Sequence, residues 1–87
     1  MRVRLIVNPI AGRGNGLYLA NRLENYLVTR GVKTETVRTN QKGDALHAAA
    51  QQDVDCVVVV GGDGTVNEVA NGIGQLGIPM ALLPAGT

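Results

Sequence analysis

The chain has 87 residues, a formal net charge of +1, 45% hydrophobic residues and 17% charged residues. This length allows one small domain, and the near-neutral charge provides no field that would attract nucleic acid. The single cysteine excludes an internal disulfide and a multi-cysteine metal site. Because the sequence shows no signal-peptide pattern and no window long enough for a membrane span, we expect a cytoplasmic protein.

The first half of the chain alternates strand and helix patterns. Segment 3–8 is mostly apolar and predicts a central strand. Segment 17–30 has apolar residues at helical spacing and predicts a helix that ends at Gly31. Segment 32–39 alternates and is β-branched, which favours a strand near a sheet edge. Segment 43–52 is rich in alanine and predicts a short helix with Asp44 as its N-cap.

The second half continues the alternation. Segment 55–60 is apolar at every position after Asp55, which indicates a strand covered on both faces. Segment 65–76 predicts a third helix, and segment 79–84 a fourth strand bounded by prolines. Among the residues expected to face the core are Tyr26 in the first helix and Ala70 in the third.

The order β-α-β-α-β-α-β predicts a parallel sheet with right-handed crossovers. We therefore expect a three-layer α/β/α, Rossmann-like domain with strand order 2-1-3-4. The sequence ends one turn after the fourth strand, without a helix to cover it. Residues 1–87 are accordingly interpreted as an incomplete, truncated domain of a longer protein.

Ligands of open parallel sheets bind beyond the carboxyl ends of the strands. All four predicted strand ends in this chain carry small or hydrogen-bonding residues. They are Asn8–Gly12, Thr39 and Asn40, Gly61–Thr65, and Ala85–Thr87. Because a parallel sheet places these groups at one edge, we expect a ligand site there.

The stretch GGDGT after the third strand has the features of a phosphate cradle. Gly61, Gly62 and Gly64 can adopt positive φ and have no Cβ to hold a ligand away. The helix that follows adds unpaired amides and the positive end of its dipole, and Thr65 adds a hydroxyl. Asp63 would repel phosphates unless it binds Mg²⁺, directly or through water, or accepts a proton.

Simpler explanations compete with this one. Thr65 and Glu68 match a capping box, which by itself would explain both residues, and a glycine-rich stretch can be an ordinary turn. There is no Walker P-loop, and Gly12–Gly16 is not a dinucleotide fingerprint. Lys42 is expected to be solvated.

Three motifs together resemble the diacylglycerol kinase catalytic domain family, lipid kinases that include sphingosine and ceramide kinases and bacterial homologues. N-P-x-[AS]-G matches residues 8–12, G-G-D-G-T-[VIL]-N-E matches 61–68, and L-P-x-G-T matches 83–87. Thr39 and the G-D-A at 43–45 also match the family pattern. The resemblance covers the whole chain, and the compact loops look most like the bacterial members.

The resemblance implies transfer of the γ-phosphoryl of ATP to a lipid hydroxyl, such as that of diacylglycerol, with Mg²⁺ required. The ATP-binding residues that it implies are Asn8, Pro9, Ile10, Ala11, Gly12, Thr39, Gly61, Gly62, Asp63, Gly64, Thr65, Val66, Asn67 and Thr87. Asp63 is the catalytic candidate, first as an organiser of phosphate and Mg²⁺ and second as a base. The nucleotide would lie against a C-terminal β-rich domain that the chain lacks.

Further expectations follow from the resemblance. The missing domain would hold the lipid pocket and most metal ligands, so we expect the chain alone to be inactive. The parent protein would contact a membrane surface transiently. The edge of the fourth strand leaves homo-oligomer formation open. Two alternatives stand beside the lipid kinase: an NAD kinase-like domain, which shares G-G-D-G-T, and a non-catalytic nucleotide-binding or interaction module.

Overall fold

The computed structural model describes residues 1–85 and contains seven elements in strict alternation. In chain order they are β1 (Arg2–Val7), α1 (Asn15–Thr29), β2 (Lys33–Arg38), α2 (Asp44–Ala49), β3 (Cys56–Gly61), α3 (Asp63–Ile73) and β4 (Met80–Pro84). The strands form one parallel sheet in the order β2-β1-β3-β4. The predicted fold class and strand order are both confirmed.

The helices cover the sheet from both sides. Ala20 of α1 packs with Val7 and Val60 on one face. The other face packs against α2 and α3, where Ala49 and Val69 join a second apolar cluster with strand residues. This three-layer arrangement explains why the central strands are apolar at nearly every position.

β4 differs from the central strands because it lies at the edge of the sheet. The side chains of Met80 and Leu82 are 41% and 52% exposed, whereas Val57 and Val59, their partners on β3, are fully buried. Four of the five residues of β4 are exposed, because this strand pairs with β3 on one side and lies at the edge of the described sheet. Within residues 1–85, no helix combines the length and the apolar composition needed to cross a membrane.

Three expectations about the helices are wrong. Gly43, with φ 96°, is the N-cap of α2, and Asp44 is the first helical residue. Tyr26 is 54% exposed, and its ring lies beneath the Arg30 guanidinium at 4.8 Å. Ala70 is also exposed. Tyr26 stays outside because α1 approaches the sheet closely, through the small buried residues Gly16 and Ala20, and leaves little space for an aromatic ring.

Arg4 is a buried charge near the amino end of β1, with only 4% of its surface exposed. Its guanidinium donates to Glu35 at 2.5 Å and to Asp53 at 2.6 Å. It also donates to the carbonyl oxygens of Ala48 and Gln51 at the end of α2. These bonds join β1, β2 and the α2–β3 loop at the edge opposite the predicted ligand site. The buried charge is tolerated because its donors are satisfied.

Asp53 should make the stability of the fold depend on pH. The hydrogen bond from Arg4 lowers the pKa of the Asp53 carboxyl below its ordinary value of 3.8. Its contribution to the free energy of unfolding is therefore present above about pH 4 and is lost as pH falls through the lowered pKa. Denaturant unfolding of the wild type and of Asp53→Asn should differ at pH 7 and converge towards pH 3. An equal difference at both pH values would contradict this assignment.

Candidate functional site

The carboxyl ends of the first three strands are held side by side by backbone hydrogen bonds. The amide of Asn8 donates to the Val60 carbonyl at 3.1 Å, and the amide of Thr39 donates to the Val7 carbonyl at 2.9 Å. Pairing therefore continues one residue beyond the end of β1 towards β3, and one residue beyond the end of β2 towards β1. The Asn8 side chain accepts from the Ile10 amide at 3.2 Å, which folds the next loop into an Asx turn.

The loop after β1 reaches the fourth strand end through Gly12. This glycine has φ +59°, and a Cβ at this position would lie 2.1 Å from the carbonyl oxygen of Ala85. No other residue type fits so close to a backbone oxygen. The described parts of all four strand ends therefore meet at one edge of the sheet, as the sequence predicted.

A cleft of about 330 Å³ opens between the β1–α1 loop and the β2–α2 loop. Its lining comprises Asn8, Pro9, Ile10, Thr39, Asn40, Gln41, Lys42, Ala45, Thr65 and Glu68. The volume is at the lower end of the range for small-molecule sites, roughly 300–1,000 Å³. Five of the predicted site residues line it: Asn8, Pro9, Ile10, Thr39 and Thr65.

The GGDGT stretch forms the turn from β3 into α3. Gly62 is the N-cap of α3 in an extended conformation, φ −99° and ψ −169°, with no side-chain cap. The first helical bond runs from the Val66 amide to the Gly62 carbonyl at 3.1 Å. The amides of residues 63–65 thus have no acceptor within the helix ladder, as in any helix start without a cap. They form an uncapped helix N-terminus beside the cleft.

The glycines of this turn do not have the positive φ that the sequence predicted. Gly61 is explained by packing, because a Cβ there would lie 3.1 Å from the Thr65 side chain. At Gly62 and Gly64, by contrast, a Cβ would meet no atom within 4 Å. Neither backbone conformation nor packing requires glycine at these two positions. The space beside both residues is therefore open at the start of α3.

Asp63 is the exposed first residue of α3. A carboxylate at a helix N-terminus interacts favourably with the helix dipole, by roughly 0.3–1 kcal/mol, so Asp63 has a structural role in addition to any chemical one. Among residues 1–85, no three His, Cys, Asp or Glu side chains gather closely enough to hold a metal ion. Mg²⁺ binding by Asp63 remains a prediction.

The other predicted site residues have different surroundings. Thr65 is buried at the floor of the turn, 9% exposed, and Asn67 is exposed on α3. The side chains of Ala11 and Val66 pack against the two apolar clusters, which positions the loops around the cleft. Thr87 lies outside the described residues.

The predicted capping box of α3 is wrong. The helix has no side-chain cap, and the Glu68 carboxylate instead accepts from the Gly43 amide at 3.0 Å and from the Leu46 amide at 3.4 Å. Glu68 therefore caps α2 from the neighbouring helix. The T-x-x-E spacing describes only neighbours along the chain. Which of the two helix N-termini Glu68 caps depends on how α2 and α3 pack against each other.

Five lining residues were absent from the predicted ATP-binding set: Asn40, Gln41, Lys42, Ala45 and Glu68. Asn40 was already expected at this edge as a strand-end residue, and Gln41 and Lys42 follow it directly, so their position after a strand adjacent to β1 was the available signal. Lys42, expected to be solvated, is exposed at the cleft and is the one basic side chain among its described lining residues.

Comparison with known proteins places the chain in a family. The family model of the diacylglycerol kinase catalytic domain matches residues 2–87. The chain therefore belongs to the diacylglycerol kinase catalytic domain family.

Individual relatives carry related names. The chain is 39% identical over 92 residues to a diacylglycerol kinase of Bacillus subtilis, covering 99% of the chain and 30% of that protein. It is 33% identical over 98 residues to sphingoid long-chain bases kinase 1 of Arabidopsis thaliana, covering 99% of the chain and 13% of that protein. The chain thus spans less than a third of these relatives.

Solved structures agree with the fold. A putative diacylglycerol kinase from Bacillus anthracis superposes with a TM-score of 0.78 at 36% identity. The match covers 99% of this chain and 33% of that one. The four-stranded domain is therefore shared with a much longer protein.

Proposed function

We propose that this chain is the ATP-binding part of a lipid kinase, which transfers the γ-phosphoryl of ATP to a lipid hydroxyl such as that of diacylglycerol. The observation that carries the proposal is the open space at Gly62 and Gly64, both at an uncapped helix N-terminus. Such a terminus binds phosphate through its amides and its dipole. Family membership and the names of the relatives support the lipid kinase class.

In this proposal each part of the site has one task. The amides at the start of α3 bind phosphate oxygens, and the adjoining cleft receives another part of the nucleotide. Asp63 organises the phosphates together with Mg²⁺, which would neutralise charge that develops during phosphoryl transfer. The lipid acceptor and a transient membrane contact belong to the parent protein's activity.

The alternatives receive less support. An NAD kinase-like domain shares the G-G-D-G-T stretch, but the family match and the named relatives favour lipid phosphorylation. For a non-catalytic module, the acidic side chain of Asp63 would have only its interaction with the helix dipole to explain it. Activity of the complete gene product separates these cases.

Replacement of Asp63 by asparagine should abolish most of the activity. The amide keeps the shape of the side chain but loses the charge that would hold Mg²⁺ or accept a proton. In the complete gene product, we expect phosphoryl transfer from labelled ATP to diacylglycerol micelles to fall by at least about 100-fold. The free energy of unfolding should change by less than about 1 kcal/mol, since only the helix-dipole interaction is lost.

Two results would contradict the proposal. Unchanged transfer in Asp63→Asn would remove this residue from the mechanism. Phosphorylation of NAD, with no transfer to any lipid hydroxyl by the wild-type gene product, would assign the alternative kinase class instead.

A further inference from the structure

Glu68 connects α3 to the β2–α2 side of the cleft in a way that its motif does not indicate. It lies on α3, five residues after Asp63, and is half-buried. Its carboxylate accepts from the amides of Gly43 and Leu46 at the start of α2. Hydrogen bonds to a charged acceptor are stronger than those between neutral groups. The helix that carries the phosphate site is thus tied directly to the next segment along the cleft.

The two ends of the β2–α2 loop are anchored, at Thr39 by the bond from its amide to the Val7 carbonyl and at Ala45 by burial in the core. The residues between them depend more on Glu68. α2 is only six residues long and has no side-chain cap of its own, and a helix that short is not stable without tertiary contacts. Within the loop, the Asp44 carboxylate accepts from the amides of Asn40 and Gln41 at 2.7 and 3.0 Å. Asp44 therefore folds the loop on itself, whereas Glu68 fixes it to α3.

Close packing supports the same contact one turn further along α3. A Cβ at Gly72 would lie 2.4 Å from the Leu46 carbonyl oxygen and 2.9 Å from the Ala49 Cβ. Gly72 therefore lets the two helices approach closely, which brings the Glu68 carboxylate within reach of the α2 amides. The close approach of the helices and the hydrogen bonds that Glu68 accepts from α2 together form one contact between α2 and α3, called the joint below.

We infer that Glu68 is a positioning residue, which sets the width of the cleft by holding the loop at Thr39–Lys42 against the phosphate-binding end of α3. This inference rests on the proposed function for the identity of the ligand. Glu68 acts through Gly43 and Leu46, while the loop that they anchor lines the cleft opposite Asn8 and Ile10. Loss of the joint leaves the amides at the start of α3 in place but allows the loop at Thr39–Lys42 to move.

The test compares Glu68→Ala, Glu68→Gln and Ile73→Val. Glu68→Gln keeps an acceptor oxygen, and Ile73→Val removes one methyl from the core at the far end of α3, which controls for general destabilisation. Amide hydrogen exchange at Gly43 and Leu46 reports the joint. Nuclear magnetic resonance shifts of the Gly62 and Gly64 amides during a MgATP titration report the affinity.

In Glu68→Ala, the amide hydrogens of Gly43 and Leu46 should exchange with solvent at least about tenfold faster than in the wild type. The Kd for MgATP should rise about tenfold. Shifts at Gly62 and Gly64 should persist at saturation. The exchange rates and the Kd of Glu68→Gln should lie between those of Glu68→Ala and the wild type. Ile73→Val should bind MgATP with wild-type affinity. In the complete gene product, Glu68→Ala should raise the KM for ATP and leave kcat within about twofold.

Wild-type affinity in Glu68→Ala, or an equal loss in Ile73→Val, would overturn the positioning role and leave the proposed function intact. A wild-type protein whose amides do not respond to MgATP would overturn the proposed function. The exchange rates at Gly43 and Leu46 are measured without nucleotide, so they test the joint in either case.

Discussion

Replacement of Gly12 by alanine is expected to lower the free energy of unfolding by about 3 kcal/mol. Two costs combine: a non-glycine residue at φ +59° is strained, and its Cβ would lie 2.1 Å from the Ala85 carbonyl oxygen. A backbone oxygen cannot rotate away as a side chain can, so the loop and the end of β4 must separate. Denaturant unfolding measures the loss.

Gly14 provides the matched control for this substitution. It also has positive φ, at +90°, but a Cβ there would meet no atom within 4 Å. Gly14→Ala should therefore show only the conformational cost, about 1 kcal/mol. Equal losses in the two variants would contradict the close contact between the β1–α1 loop and β4.

The opposite result is expected at Gly62 and Gly64. Gly62 has the extended conformation of an N-cap. Gly62→Ser should therefore leave the free energy of unfolding unchanged or raise it by roughly a few tenths of a kcal/mol. Gly64 is helical and unobstructed, so Gly64→Ala should raise the free energy of unfolding by up to about 1 kcal/mol. Both substitutions place atoms in the open space at the start of α3. Each should weaken MgATP binding at least about tenfold.

Asn71→Ala is the control for helix propensity in this pair of experiments. Asn71 is exposed on α3, away from the turn, so alanine should stabilise the helix without changing the affinity for MgATP. Thermal unfolding and a nucleotide titration measure both quantities on the same samples. If Gly62→Ser and Gly64→Ala bind MgATP like Asn71→Ala does, the open space has no role in nucleotide binding.

The fold could be predicted because its strongest signals are local and repeated. The apolar run of β3 requires cover on both faces, and the alternation of elements leaves few topologies for a sheet of this size. The sequence also indicated the edge where the candidate cleft lies, because parallel strands bring their carboxyl ends together. These inferences need no knowledge of individual side-chain contacts.

The details of the site could not be predicted because they depend on contacts between distant segments. Glu68 has the right spacing to cap its own helix but caps α2 instead. Asp44 has the right position for an N-cap but accepts from the preceding loop. Gly62 and Gly64 were expected to supply positive φ, whereas their distinguishing property is the absence of neighbours. In each case the residue type indicated that the position matters, but the sequence did not show which residue it would contact.

The central claim is that a nucleotide phosphate binds at the start of α3, and an amide-resolved titration of the wild-type chain with MgATP tests it most directly. We predict saturable shifts at the amides of residues 61–65, with smaller changes at Asn8–Gly12 and Thr39–Lys42. The absence of any shift at residues 61–65 at millimolar MgATP, in a sample whose spectrum shows a folded chain, would contradict it.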